Sequence, residues 1–479
     1  MSAVSKAWVR WSALLLLFGA PMVASAQESA VHAELRDEGD RISNACGTFS
    51  LKSMPGCAYT LFTDHPFHIA AGSMPPQNGF GFGAAFVWSK NTKNWRMSWD
   101  TDAVGATSAS WRAGVYMKLV HTPHPATNPI VVIIPGQKPS EERTHKPSKS
   151  FTHPYTVFDL YAQSISLNQL NYFGLGNDTS ITAKSVFGMS ETIVGGSAIK
   201  PVYEWAAIRG LHLALLGDVN GRFVDIRGSH GQLVPSIENL YTEATAPGLT
   251  KQPGFLQLGE GVRVKPVLGN FELNYLAKFQ QFFAPSDSHY SFLRWAVDLN
   301  HTYYLYGYER SAPPSTETVG PDSCAGDKCP PIPYTRNLRG SIGVRVLLSE
   351  SVYSATSVVP FYFQQTLGGQ DINNVLALGS YQDYRFRTPN LLLFQETFEH
   401  SIWGPFGLKL MGDQGRVALT RRDLGFNDFK NSFAAGLTLR AGGFPMVTLM
   451  YAWGGPEGQH TIANMNTSLL SGSSRPSLY

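Results

Sequence analysis

Apolar and polar residues alternate with a period of two along many separate stretches of the chain. Phe82, Ala84, Phe86 and Trp88 share one parity opposite Gly81, Gly83 and Ala85, and Trp95, Met97 and Trp99 oppose Arg96, Ser98, Asp100 and Asp102. Ala113, Val115, Met117 and Leu119 alternate with Arg112, Gly114, Tyr116 and Lys118, and Leu273, Tyr275, Ala277 and Phe279 with Glu272, Asn274 and Lys278. Trp295, Val297 and Leu299 oppose Arg294, Asp298 and Asn300; Ile342, Val344 and Val346 oppose Arg339, Ser341, Gly343 and Arg345. Phe433, Ala435, Leu437 and Leu439 oppose Gly436, Thr438 and Arg440, and Ala463, Met465 and Leu469 oppose His460, Asn464 and Asn466. Successive side chains of a strand point to opposite faces, so each stretch is a strand with one apolar and one polar side.

A soluble β-sandwich also alternates, but around an apolar core only about 10 Å thick. Here the polar parity repeatedly carries full charges beside glycine, while the apolar parity places Trp and Tyr at strand ends, as a girdle at the membrane interface does. The pattern therefore predicts an all-β fold, a transmembrane antiparallel β-barrel closed on itself because hydrocarbon cannot satisfy an open edge. About eleven strands are expected before Leu367 and about five after it, near 388–401, 405–415, 430–441, 445–454 and 459–470, about sixteen in all. Alternation is weakest over 198–228 and 391–401.

The N-terminal residues depart from this period. Lys6 and Arg10, the apolar run Trp11 to Val23 and the small-residue site Ala24-Ser25-Ala26 read as a signal for export, with the mature chain starting near Gln27. No cysteine follows that site, so no lipid anchor is expected, and no later run approaches the ~18 apolar residues of a spanning helix. The expected organisation is a signal peptide at 1–26, a periplasmic lead-in at 27–76, an outer-membrane barrel at 77–471 and a tail at 472–479, where Pro476 cannot donate to a ladder. Irregular stretches occupy 121–153, 229–253 and 308–335; the last, polar and rich in proline, reads as an extracellular loop. Cys46 and Cys57 are close in sequence, as are Cys324 and Cys329, which suits two local disulfides in an oxidising compartment better than zinc ligation.

Composition agrees. Charged residues are 15% and aromatics 12%, against roughly 25% charged in an average soluble protein. A formal net charge of +3 gives no reason to expect a nucleic-acid partner. The expected surroundings are outer-membrane lipids, with the chain monomeric.

One stretch carries more than alternation. Leu367 to Asn390, "LGGQDINNVLALGSYQDYRFRTPN", combines Gly368, Gly369 and Gly379 with Tyr381, Tyr384, Arg385 and Arg387 between two strands. It resembles the sixth-loop region of the bacterial surface antigen family, the superfamily of barrel-assembly insertases and two-partner secretion transporters. That pattern is a Gly-Gly pair, then Leu/Val-Arg-Gly-Phe/Tyr, then Arg-Phe-Arg at the next strand. "NYFGLGNDTS", Asn171 to Ser180, and "MGDQGRV", Met411 to Val417, also match, the latter resembling the family's Phe-x-Asp-x-Gly strand with Asp413 and Gly415. The resemblance implies a loop over about 367–388 folded into the lumen, where its arginine meets the aspartate of that strand. It also implies client proteins in outer-membrane protein assembly or translocation. Two departures are visible. Gly379 and Ser380 stand at the Arg-Gly positions, so Arg385 or Arg387 is expected to take over as the partner of Asp413; and 27–76 is too short for one of the family's full periplasmic repeats.

A third expectation, an outer-membrane lipid hydrolase, finds no support in the motifs. "GMSET" around Ser190 is not the G-x-S-x-G elbow, there is no H-E-x-x-H, and spacing brings neither His230, His400 nor His460 to a particular serine. His121, His124, His145 and His153 share one loop region without a metal-site spacing, and no cofactor motif is present. The charged positions of the polar parity are mainly basic, which leaves two expectations: an anion-preferring passive channel, or charges paired across the wall of a plugged barrel.

Overall fold

The computed structural model describes residues 66–121 except 93, then 155–205, 211–229, 233–268, 270–311, 335–403, 406–441, 444–465 and 476–478. The export signal, both cysteine pairs, most of 121–153 with His124, His145 and His153, and Tyr479 lie outside them.

Strands dominate. In chain order they are β1 (Phe67–Ser73), β2 (Phe80–Asn91), β3 (Trp95–Ala106), β4 (Trp111–His121), β5 (Val157–Tyr172), β6 (Ser185–Trp205) and β7 (Leu211–Gly228). They continue with β8 (Phe255–Val264), β9 (Val267–Leu268), β10 (Phe271–Phe283), β11 (Phe292–Ser311), β12 (Thr335–Val352), β13 (Gln365–Leu367) and β14 (Phe386–Thr388). The last five are β15 (Asn390–Trp403), β16 (Phe406–Ala418), β17 (Lys430–Ala441), β18 (Phe444–Gly455) and β19 (Gly458–Met465).

Each wall strand pairs antiparallel with the next, β1 through β8 and β10 through β12, after which β12 pairs with β15 and the series runs on to β19. β9 extends β8 along the same side of β10, and β13 pairs with β14 apart from the wall. The described residues thus form sixteen wall positions, with five strands after the stretch 367–388. β1 and β19 lie side by side with no registered pairing among the described residues, so the barrel is nearly closed, with a seam there.

The two-residue period is realised as outside against inside. Phe223 and Val219 are 53% and 51% exposed while Arg222 and Asn220 on the other parity are 2% and 3%. Trp295 faces out beside buried Arg294, and Phe433 and Leu437 beside buried Ala434 and Thr438. The outward face is apolar and suited to hydrocarbon. Many inward charges pair along the wall: Arg112 with Asp102, Lys118 with Asp159, and Arg345 with Asp298 at 2.9 Å.

One expected boundary changes. β1 falls inside 27–76, and its period is hidden because Ala70 and Ala71, on opposite parities, are both small and both buried. Consecutive hairpins also sort the connections onto two rims. The rim carrying 74–79, 107–110, 173–184, 233–254 and 353–389 is opposite the one where β1 begins. Of the stretch 308–335, expected to be an extracellular loop, residues 312–334 lie outside the described residues.

Candidate functional site

The connection from β12 to β15 does not arch over the rim; it crosses the lumen. Pro360 precedes a 3₁₀ turn, Phe361–Phe363, whose three aromatic side chains are all buried. They meet wall residues from six strands: Tyr172, Phe187, Val224, Phe255, Phe282 and Phe292 belong to the same apolar cluster. The rings pack edge-on, Phe361 against Tyr172 at 5.2 Å and Phe187 at 5.1 Å, and Phe363 against Phe255 at 5.0 Å, the geometry that aromatic quadrupoles prefer. Arg294 of β11 donates to the carbonyl of Phe363 and lies 5.3 Å from the ring centre of Phe282.

Past β13 the loop reaches the opposite wall. Gly368 and Gly369 have φ of +102° and +59°, and a Cβ on either would fall within 2.4 Å of Arg385 or Asp383 atoms; only glycine makes this turn. The N–H of Leu378 donates to Asp413 Oδ2 at 2.9 Å, and Gln395 Nε2 donates to Asp413 Oδ1 at 2.9 Å and to the carbonyl of Leu376 at 3.0 Å. Ser380 N donates to Ser432 Oγ at 2.9 Å. Gly379 packs so close that a Cβ would lie 2.9 Å from Ile462 and 3.1 Å from Ala452. Gly415 admits Leu367 in the same way, at 2.7 Å. Tyr381 stacks edge-on with Phe386 at 5.1 Å and covers Gly455. β15 through β19 each contribute to this contact.

The expected arginine–Asp413 pair is not what holds the loop. Asp413 is satisfied by a backbone N–H and the Gln395 amide. Arg385 turns the other way, to Glu457 Oε1 at 2.5 Å and to Thr179 Oγ1 at 2.5 Å, flanked by the rings of Phe173 and Phe386. Arg387 donates to the carbonyl of Phe361 at 2.6 Å beside Tyr172. Because Gly379 occupies the position where the resemblance expects arginine, the backbone itself can approach the wall and bond to the carboxylate.

The three stretches singled out in the sequence meet here. Gly176 N donates to the carbonyl of Arg387 at 3.1 Å, Thr179 accepts from Arg385, and Asp178 pairs with Lys430 at 2.9 Å. Asn177 links to β16 and to the carbonyl of Asp428. Asn171 to Ser180, the loop tip and Met411 to Val417 thus form one bonded unit. Phe361 to Phe363, Gln395, Ser432 and Glu457 lie outside those stretches; only the aromatic run after a proline offered a signal, since a buried contact of a loop has no period.

A cavity of about 800 Å³ opens beside the seam, between the β1–β2 turn, the loop and β19, lined by Met74, Gln77, Lys184, Tyr381, Asp383 and His460 among others. Burial raises the Asp383 carboxyl above its ordinary range, opposed by bonds from Gln370 N–H and Gln77 and by Lys184 and His460. Burial lowers Lys184, which donates to Gln382 Oε1 at 2.9 Å. No group of three metal-ligating side chains occurs among the described residues.

No protein-family model and no curated protein matches the sequence. Among solved structures the chain is similar to CdiB from Acinetobacter baumannii, with a TM-score of 0.46 and 10% identity over 83% of this chain and 59% of that one. It is similar to CdiB from Escherichia coli, with a TM-score of 0.46 and 9% identity over 84% and 62%. It is also similar to BamA from Haemophilus ducreyi lacking POTRA domains 1-3, with a TM-score of 0.45 and 9% identity over 83% and 70%. The chain spans less than two thirds of the length of either CdiB. By its own geometry the chain is an all-β antiparallel barrel of sixteen wall positions among the described residues, its lumen crossed by one loop bonded to both walls.

Proposed function

We propose that the chain is an integral outer-membrane barrel of the surface-antigen type that acts in the assembly or translocation of outer-membrane proteins, as a monomer in contact with lipid. The convergence of the three motif stretches on one lumen unit carries this reading, because the loop and the strand following it are what the resemblance marks out. The seam adds a physical reason: among the described residues no registered ladder joins β1 to β19, and a client strand would gain main-chain hydrogen bonds by adding at such an edge. A passive channel is the weaker reading, since aromatic side chains from both the wall and the loop occupy the lumen.

The test is reconstitution in lipid vesicles with a urea-unfolded outer-membrane barrel as client. Faster client folding than in protein-free vesicles supports the reading. An unchanged rate, with the reconstituted protein itself folded by its heat-dependent gel mobility, removes it.

A further inference from the structure

The segment 476–478 lies in the lumen, held from two sides. Arg222 of β7 is 2% exposed. Its Nε donates to Asn220 and Gln257 and its Nη1 to Glu191 Oε1 at 2.8 Å, which fixes the guanidinium; its Nη2 donates to the carbonyl of Ser477 at 2.9 Å. On the other side the N–H of Leu478 donates to Asn373 Oδ1 at 2.9 Å. Asn373 sits at the loop tip, in a turn where Asp371 Oδ1 accepts from the N–H groups of Asn373 and Val375. The Ser477 carbonyl and the Leu478 N–H belong to one trans peptide unit and point in opposite directions, so wall and loop grip a single peptide plane. Leu478 itself is 6% exposed within the main apolar cluster. Pro476 favours an extended entry and brings no N–H that burial would leave unpaired.

We propose that Arg222, Asn373 and the adjoining apolar cluster form a lumenal binding site for extended peptide, filled in this structure by the chain's own residues 476–478. Recognition through a peptide plane reads no side chain; the apolar pocket beside it selects a large aliphatic residue immediately after the clamped carbonyl. The ligand class is therefore an extended peptide with an aliphatic residue at that position. Tethering gives the internal segment an effective concentration on the order of millimolar, so that an outside peptide competes only at comparable levels.

Placing a benzophenone amino acid at Leu478 of the full chain in detergent, irradiating it and mapping the products tests the occupant. Cross-links to residues around Asn373 or Arg222 are expected; their absence overturns the proposal. A second measurement uses a biotinylated peptide of residues 473–479 carrying the same probe, with the barrel lacking residues 466–479. Saturable labelling is expected, and Asn373→Ala, which removes one clamping acceptor, should weaken it about fivefold. Labelling that does not saturate, or that is equal with Asn373→Ala, contradicts the site. Should the shortened barrel fail to fold, the full-chain cross-link decides.

Discussion

At the scale of single residues the loop is held by groups with few alternatives. Asp413 is buried, and truncating it leaves the Leu378 N–H and the Gln395 amide without an acceptor. Hydrogen bonds to a charged group contribute roughly 1.5–3 kcal/mol each, so Asp413→Ala should lower the heat-denaturation midpoint in detergent by several degrees, read as loss of the fast-migrating folded band. An unchanged midpoint would mean the loop is held elsewhere. Two carboxylates outside the membrane strands respond to pH with opposite sign. Glu243 accepts from the N–H groups of Gly248 and Thr250 and from the hydroxyls of Thr250 and Tyr290, and although burial opposes them these bonds lower its carboxyl. A lowered acid stabilises the fold above its unfolded value, near 4.3, and loses that contribution as pH falls through the folded value. Asp383 is raised by burial, so its ionised form weakens the fold, and acidification from above its folded value restores stability. Glu243→Gln should therefore flatten the fall of the denaturation midpoint below about pH 4, whereas Asp383→Asn should raise the midpoint at neutral pH and remove the gain on acidification. Midpoints measured from pH 3 to 8 for both variants check the two signs.

At the scale of elements the lumen hairpin β13–β14 and the 3₁₀ turn before it are a plug fastened by two different chemistries. The aromatic side of the plug is dispersion and burial. Phe361→Ala removes a ring with 0% exposure and should cost about 3–5 kcal/mol, measured by urea unfolding in detergent; a loss below about 1 kcal/mol would mean the ring does not fill the lumen. The polar side depends on close approach, so Gly379→Val, which pushes a branched side chain against Ile462 and Ala452, should detach the tip from β18 and β19 while the wall strands remain. The sequence shows the wall well for a plain reason. A strand between lipid and water alternates, and β2, β3, β10, β12 and β17 stand near where the period puts them. It shows β15 poorly because Leu391 and Leu393, on the inward parity, pack against the loop and are as apolar as the outward side. It hides β1 because alanines carry no contrast. In the site, the glycines and the loop tip were legible through the motif, but the choice of partner for Asp413 was not: it depends on how closely a glycine backbone approaches the wall, which no residue spacing encodes.

At the scale of the whole molecule the barrel has an apolar exterior, a bonded crossing of the lumen and, among the described residues, a seam between β1 and β19 without a registered ladder. This arrangement separates a plugged barrel from an open pore by electrical behaviour. In planar bilayers the native chain should show rare, small openings, and Gly379→Val should increase their frequency several-fold; steady large conductance in the native chain would contradict a crossed lumen. The central claim, that residues 367–388 lie inside the barrel against its inner wall, is tested most directly at Ser380, which is 0% exposed. In a background with the four native cysteines replaced by serine, Ser380→Cys in intact outer membranes should resist a bulky maleimide and react only after heat denaturation, while a cysteine at exposed Phe426 reacts at once. Equal and rapid labelling of both positions in the folded protein would place the loop outside the lumen and contradict the account.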